Sequence, residues 1–303
     1  MKIVSYGPVR AEQPGVLLDE HHIAPLAPIL TRAGLPVLDT NAILALLPYL
    51  QPIIEAALKQ KDVPMIETRA TRLGPPVPRP EKIVVAGGNY RSHVDEASGM
   101  KNAPIPSEAI LIFKPSNTVI GPHDALVRPA QSQKLDYETE IAVVIGRGGR
   151  HISRQNAYEH IAGYMIGNDV TARDMAFKDV HINPLFSQIT RAKGIPTGAP
   201  IGPWLVTKDE IPDPHKLQLR CWVNGKLCQD GSSSEMIVDI PGLIEDFSKV
   251  LEFSPGDIIF TGTTTGCGAY QKPPRYLFAG DVVRIEITGL GVMETPIADE
   301  VVQ

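Results

Sequence analysis

Two glutamates stand two residues apart in LDYETEIAVVIG (135–146), at the mouth of an apolar run that reads as a buried strand. Side chains at i and i+2 of a strand share a face, so Glu138 and Glu140 aim together, opposite Tyr137, Thr139 and Ile141. Carboxylates that close repel unless a cation lies between them. Oxygen ligands of this kind suit Mg2+, Mn2+ or Ca2+ rather than zinc. A third acid, Asp169 in GYMIGNDVTARD, lies near the end of another apolar run, where a sheet could bring it to the same rim. Spacing alone leaves a second reading open: solvated acids at a strand start, and an Asn168-Asp169 turn pair. Asp136 reads as a strand-entry residue with no ligand role.

Other stretches carry further chemistry. In GGNYRSHVDEASG (87–99), His93 and Glu96 are three apart and meet if the segment is helical. A carboxylate that polarises an imidazole makes a water-activating base near neutral pH, although an ordinary surface His/Glu pair has the same spacing. DIIFTGTTTGCG (257–268) packs glycines among threonines after a strand, which presents N–H groups and hydroxyls to an anion or simply makes a tight turn. Lys193 and Thr197 lie in RAKGIPTGAPIGPW (191–204), where a lysine can bind a carboxylate or an oxyanion, or be solvated. Neither GGNYRS nor GRGGR has GxGxxG spacing, and the Gly/Thr loop lacks the Lys-Ser/Thr of a Walker loop.

The elements that must position these residues are mostly short strands. KIVVAGG (82–88), AILIFKP (109–115), TEIAVVIG (139–146), GYMIGNDV (163–170), GPWLVT (202–207), LQLRCWVNG (217–225), GDIIFTG (256–262) and DVVRIEITGLG (281–291) all read as strands. Asn-Gly in WVNGKLCQ predicts a hairpin. SRQNAYEHI (153–161) and DIPGLIEDFSKVLE (239–252) read as helices. Residues 1–75 look different. A strand at GVLLD precedes DTNAILALLPYLQPIIEAALKQ (39–60), a helix capped by Asp39 or Thr40 and broken or kinked by Pro48 and Pro52. The proline-rich LGPPVPRPEK (73–82) is the linker candidate, dividing a small N-terminal α+β domain (1–75) from a larger domain (76–303). The fold class is β-rich α+β, with a barrel or sandwich-like larger domain.

Composition narrows the partners. The 303 residues carry a net charge of −5 and no basic block, which speaks against nucleic acid or an anionic membrane. Three cysteines without CxxC spacing form neither a disulfide framework nor a zinc knuckle, and suit a reducing compartment. The start MKIVSYGPVR has no apolar signal region and no run is long enough to span a bilayer, so the expected address is the cytoplasm.

Taken in order, IVVAGGNYRSHVDE, FKPSNTVIGP, DYETEIAVVIG, GYMIGNDVTARD, KGIPTGAPIGPWLVT and GDIIFTGTTTGCG with LFAGDVVRIEI resemble the fumarylacetoacetate hydrolase family, from about Lys82 to Met293. The resemblance implies a mixed β-sandwich roll or flattened barrel, a divalent cation (Mg2+ or Mn2+, with Ca2+ admissible) and a homodimer. By position, Glu138, Glu140 and Asp169 match the metal ligands, and His93 and Glu96 the water-activating dyad on a mobile lid. Lys193 matches a residue that holds the developing oxyanion. Arg173, Thr197 and Thr263 match substrate-binding residues.

The implied activity is metal-dependent hydrolysis of a carbon–carbon bond in a 2,4-dioxo acid, an acylpyruvate, giving pyruvate and a carboxylic acid. The alternatives on the same fold are an oxaloacetate-type decarboxylase, a 2-oxo-acid isomerase or tautomerase, or a non-catalytic ligand-binding member. The sequence departs from the family pattern where Pro196 and Gly198 replace an aspartate and an aromatic, at Ala176 in place of a glutamine, and at Thr264 in place of a proline. The segment 175–192 has its own His181 and Arg191, so contacts to the distal part of a substrate are expected to differ.

Overall fold

The computed structural model describes residues 1–60 and 62–302. Apolar, β-branched runs bounded by Gly and Pro become strands. Their central series runs Lys2–Tyr6, Ala199–Thr207, Ile161–Asn168, Thr139–Ile145, Ile258–Thr263, Ile83–Gly87, Ile110–Lys114. Every neighbouring pair in it is antiparallel except Ile258–Thr263 with Ile83–Gly87, so the sheet is mixed. A second sheet, ordered Lys226–Ser232, Gln218–Val223, Val282–Ile287, Gly291–Asp299, Leu126–Arg128, shares a core with one face of the first. Asn224 and Gly225, both at positive φ, make the hairpin between its first two strands. The result is the β-rich mixed architecture expected from the sequence.

The Thr139–Ile145 strand is buried on both sides. Ile141, Val143 and Ile145 enter one core, and Ala142 and Val144 another. Its opening acids are therefore inside the protein: Glu138 is 4% exposed and Glu140 1%. The solvated strand start is thereby excluded.

Helices are few. Ile240–Ser248, capped by Asp239 accepting from Gly242 N–H, lays Leu243, Ile244 and Phe247 on the core. SRQNAYEHI is not the expected helix but a single 3-10 turn, Ala157–His160. The His160 carbonyl accepts from Gly146 and Arg147 N–H, which commits this end of the segment to the sheet.

In the first 75 residues the expected helix divides into Thr40–Ala45 and Leu47–Lys59. Asp39 caps the first, Pro48 sits in the first turn of the second, where a missing N–H is tolerated, and Pro52 lies within it. This unit extends the central sheet through the pairing of Lys2–Tyr6 with Ala199–Thr207. Ile3, Leu44 and Leu47 share a core with Ala142, Val144 and Phe260. The sheet thus runs across the boundary read between 1–75 and 76–303, while Val16, Leu26, Ile29, Leu30, Ile43, Leu50 and Ile54 form a core cluster of their own within the first segment. Among the described residues, no helix is long and apolar enough to cross a membrane.

Candidate active site and metal centre

Two strand ends are pinned together at the acids. Glu138 N–H donates to the Asn168 side-chain oxygen (3.0 Å), and Asp169 N–H donates to the Glu138 carbonyl (2.9 Å). One carboxylate oxygen from each of Glu138, Glu140 and Asp169 consequently lies within 4.8 Å of the others. The partner strand helps. Its register shifts by one residue between the pairs Glu140–Thr263 and Ala142–Phe260, a bulge that turns Gly262 N–H onto Glu140 Oε2 at 2.6 Å. Gly262 has φ +96°, and a Cβ there would meet the Ala86 carbonyl and Asn89 Cβ at 3.0 Å.

Three cations surround these acids. Lys193 Nζ donates to Glu138 Oε2 (2.7 Å), to Asp169 Oδ2 and to Thr171 Oγ1 (3.0 Å). Arg173 spans Glu138 Oε1 (2.7 Å) and Asp136 Oδ2 (2.9 Å). Lys114, fully buried, donates to the Val170 carbonyl (3.1 Å) and pairs with Asp169, its Nζ 2.9 Å from Oδ1. Sequence reasoning misses Lys114. Its signal is a lysine that closes the apolar strand ILIFK directly before a proline. Asp136, expected to stand apart, is buried and accepts from Gly268 N–H (2.7 Å) and Ala269 N–H (3.1 Å) while it anchors Arg173.

The charges do not balance evenly. Burial opposes the charge of Glu138, but Arg173 and Lys193 overcome it and hold the carboxyl well below its usual range. Burial pushes Glu140 well above that range, and the like charges of Asp169 and Glu138 add to the shift. Among the described residues, no lysine or arginine pairs with Glu140. Asp169 Oδ1 is buried and accepts no hydrogen bond, with the Lys114 ammonium beside it. An unpaired buried carboxylate among converging oxygen donors fits a hard divalent cation.

The His93/Glu96 pair sits on the helix Arg91–Ser98, closed by left-handed Gly99. His93 Nδ1 lies 3.2 Å from Glu96 Oε1. Glu96 Oε2 accepts from Thr265 Oγ1 (2.6 Å) and Gly266 N–H (2.9 Å). The Gly/Thr loop therefore does hold an anion, and that anion is the chain's own glutamate. Burial opposes the Glu96 charge, but hydrogen bonds from His93, Thr265 and Gly266 outweigh it and lower the carboxyl below its ordinary value. This pairing keeps a proton on Nδ1 and leaves Nε2 as the basic nitrogen.

A cavity of about 300 Å3 joins the two groups, with His93, Glu138, Glu140, Asp169, Arg173 and Lys193 on its lining. Ile110, Ile112, Phe177 and Ile189 supply an apolar wall. Thr263 also lines it, but its hydroxyl donates to the Thr139 carbonyl (2.9 Å) and accepts from Gln229 (2.9 Å). Thr197 is not brought in. At φ +64° it accepts from Val127 N–H (2.8 Å) and lines a separate cleft of about 960 Å3, beside Arg79 and Pro196. That cleft and another of about 840 Å3 are larger, yet neither contains a metal ligand or the dyad.

Residues 82–298 match the family described as Fumarylacetoacetate (FAA) hydrolase C-terminal. The chain belongs to the fumarylacetoacetate hydrolase family. Its relatives in that family include a mitochondrial oxaloacetate tautomerase of Homo sapiens, 42% identical over 218 residues, which is 72% of this chain and 67% of that protein. Among solved structures, it is similar to a probable 2-hydroxyhepta-2,4-diene-1,7-dioate isomerase from Mycobacterium abscessus, at 35% identity and TM-score 0.81 over 100% of both chains. Maleylpyruvate hydrolase from Sphingobium sp. SYK-6, in complex with manganese(II) and pyruvate, is 28% identical with TM-score 0.79, over 99% of this chain and 100% of that one. Family members thus include both isomerases and hydrolases.

Proposed function

We propose that this family member is a divalent-metal-dependent tautomerase that moves a proton between carbon and oxygen in an oxaloacetate-like 2-oxo diacid. The observation that carries this reading is one imidazole–carboxylate base beside a hard-cation site in a small, apolar-walled cavity. Similarity to the human oxaloacetate tautomerase supports the substrate class. It moves the balance from hydrolysis, the leading expectation from sequence, to the alternative.

A cation held by Glu138, Glu140 and Asp169 supplies Lewis acidity, which lowers the cost of negative charge on the 2-oxo oxygen. The chain does the rest. His93 Nε2 accepts the C3 proton, the C–H electron pair becomes the C2=C3 bond, and the carbonyl pair moves onto oxygen. The imidazolium then returns the proton to that oxygen, and the reverse sequence regenerates the keto form. Glu96 offsets the transient imidazolium charge and fixes the ring. Lys193 and Arg173 hold Glu138 in place and offer positive charge to a substrate carboxylate. The apolar wall excludes water, which protects the proton in transit.

Hydrolysis of an acylpyruvate is the second reading, favoured by the likeness to the maleylpyruvate hydrolase. The same base would activate water instead of carbon. The test supplies enol-oxaloacetate, with Mg2+ or Mn2+ and then with a chelator, and follows loss of enol absorbance. A parallel panel of 2,4-dioxo acids is assayed for pyruvate. Metal-dependent ketonisation without pyruvate or CO2 supports the tautomerase. Pyruvate from the dioxo acids, without faster ketonisation, replaces it with the hydrolase, and CO2 from oxaloacetate replaces it with a decarboxylase.

A further inference from the structure

We propose that Cys267 joins His93 and Glu96 in a second metal site, separate from the carboxylate cluster, that takes a borderline or soft ion such as Zn2+ or Cd2+. Donor atoms of these three residues all lie within 4.8 Å of one another. Cys267 Sγ is 3.9 Å from His93 Nδ1, which is 3.2 Å from Glu96 Oε1. Tetrahedral zinc, with Zn–S about 2.3 Å and Zn–N about 2.0 Å, places sulfur and nitrogen roughly 3.6 Å apart. Shifts of a few tenths of an ångström therefore bring sulfur and nitrogen to that spacing, with the carboxylate within 4.8 Å of both.

Chemistry separates the two sites as clearly as position does. Sulfur, imidazole and one carboxylate oxygen select zinc-like ions, whereas the all-oxygen cluster selects magnesium-like ones. The cysteine site also has outer support. Glu96 Oε2 is held by Thr265 and Gly266, which leaves Oε1 oriented toward the imidazole. Three protein donors leave a fourth position for water.

As the S–metal bond forms, the thiol releases its proton to solvent, and the Nδ1 proton leaves likewise, with no change of oxidation state. Cys267 is wholly buried, and His93 lines the cavity, which gives an ion its route to the site. On the proposed function, occupancy takes His93 and Glu96 out of action, so the site is inhibitory.

The test uses the full-length Cys228→Ala protein, which removes the half-buried thiol, and titrates it with Cd2+ without substrate. Thiolate-to-cadmium absorption is expected to saturate at one equivalent. The band should survive Glu138→Gln, vanish with Cys267→Ala and need at least tenfold more Cd2+ with His93→Ala. No band in the parent, or an unchanged band in Cys267→Ala, overturns the site. Should Cys267→Ala fail to fold by circular dichroism, the His93→Ala titration decides, and an unchanged affinity there overturns the site equally. The titration needs no turnover, so it stands or falls independently of the tautomerase reading. In the active enzyme, Zn2+ should inhibit in excess Mg2+, and inhibition that Mg2+ fully reverses by competition also overturns the proposal.

Discussion

Glu140 and Glu96 are carboxylates beside one cavity, yet their protons are held in opposite senses. Glu140 is raised by burial and by the like charges of Asp169 and Glu138, with a single backbone N–H to help it. Glu96 is lowered, because His93, Thr265 and Gly266 more than offset its burial. The first sits on a strand locked between others and lacks a positive partner. The second sits on a short helix and is already satisfied. A buried acid left unsatisfied by its own chain is poised for an external cation, and a satisfied one is poised to orient a neighbour. One side chain type thus serves two purposes through its surroundings alone.

The largest effect should come from Glu140→Gln. Mn2+ affinity measured calorimetrically should fall by at least about 100-fold, and turnover with it. The metal-free variant should also melt above the metal-free parent near neutrality, because the cost of burying or neutralising that carboxylate is gone. Unchanged Mn2+ affinity would break the contrast. His93→Ala comes next: Mn2+ affinity should stay within about twofold while turnover falls roughly 10²- to 10⁴-fold. Parallel losses in both would mean that the carboxylate cluster and the dyad are one unit.

Thr265→Ala sharpens the reading of the dyad. It removes one donor to Glu96, so the carboxyl should rise toward its ordinary value and the acid limb of the pH–rate profile should move upward. Turnover should drop about tenfold with little change in KM. Rescue by Thr265→Ser confirms the hydroxyl.

The smallest effect on activity is expected at a carboxylate far from the cavity. Arg72 bridges Asp124 and Glu12, tying the N-terminal residues to the rest of the chain. Burial raises Asp124, but hydrogen bonds from Arg72 and Gly121 N–H lower it further, for a net depression. Its stabilisation is therefore present above the ordinary carboxylate pKa of about 3.9 and lost as pH falls through the depressed value. Asp124→Asn should cost about 1–3 kcal/mol near neutrality and nothing at strongly acid pH, with turnover intact. Melting scans across pH decide this.

Period-two logic along one strand is enough to pair Glu138 with Glu140, and apolar runs with turn residues are enough to place most strands. What a sequence does not state is which strand ends meet. Asp169 joins the glutamates through the Asn168 side chain, and Asp136 reaches Arg173 across a two-stranded ladder, Leu135–Asp136 with Thr171–Ala172. Lys114 is brought in from the edge strand Ile110–Lys114. Thr197, matched by resemblance to a substrate-binding residue, stands outside this cavity, where a left-handed backbone turns its hydroxyl to Val127 N–H. The Gly/Thr loop was legible as an anion holder, while the identity of its anion depended on a helix nearly 170 residues earlier in the chain.

The bulge at Gly262 bears on any attempt to transplant this centre. Copying the three acids onto a regular antiparallel pair would reproduce their spacing but leave Glu140 without the N–H that aims it. A saturation library at position 262 should tolerate few residues, since any side chain there is strained at φ +96° and its Cβ lies only 3.0 Å from the Ala86 carbonyl. The heritable unit is the irregular strand pair, in which the residue without a side chain is as indispensable as the ligands.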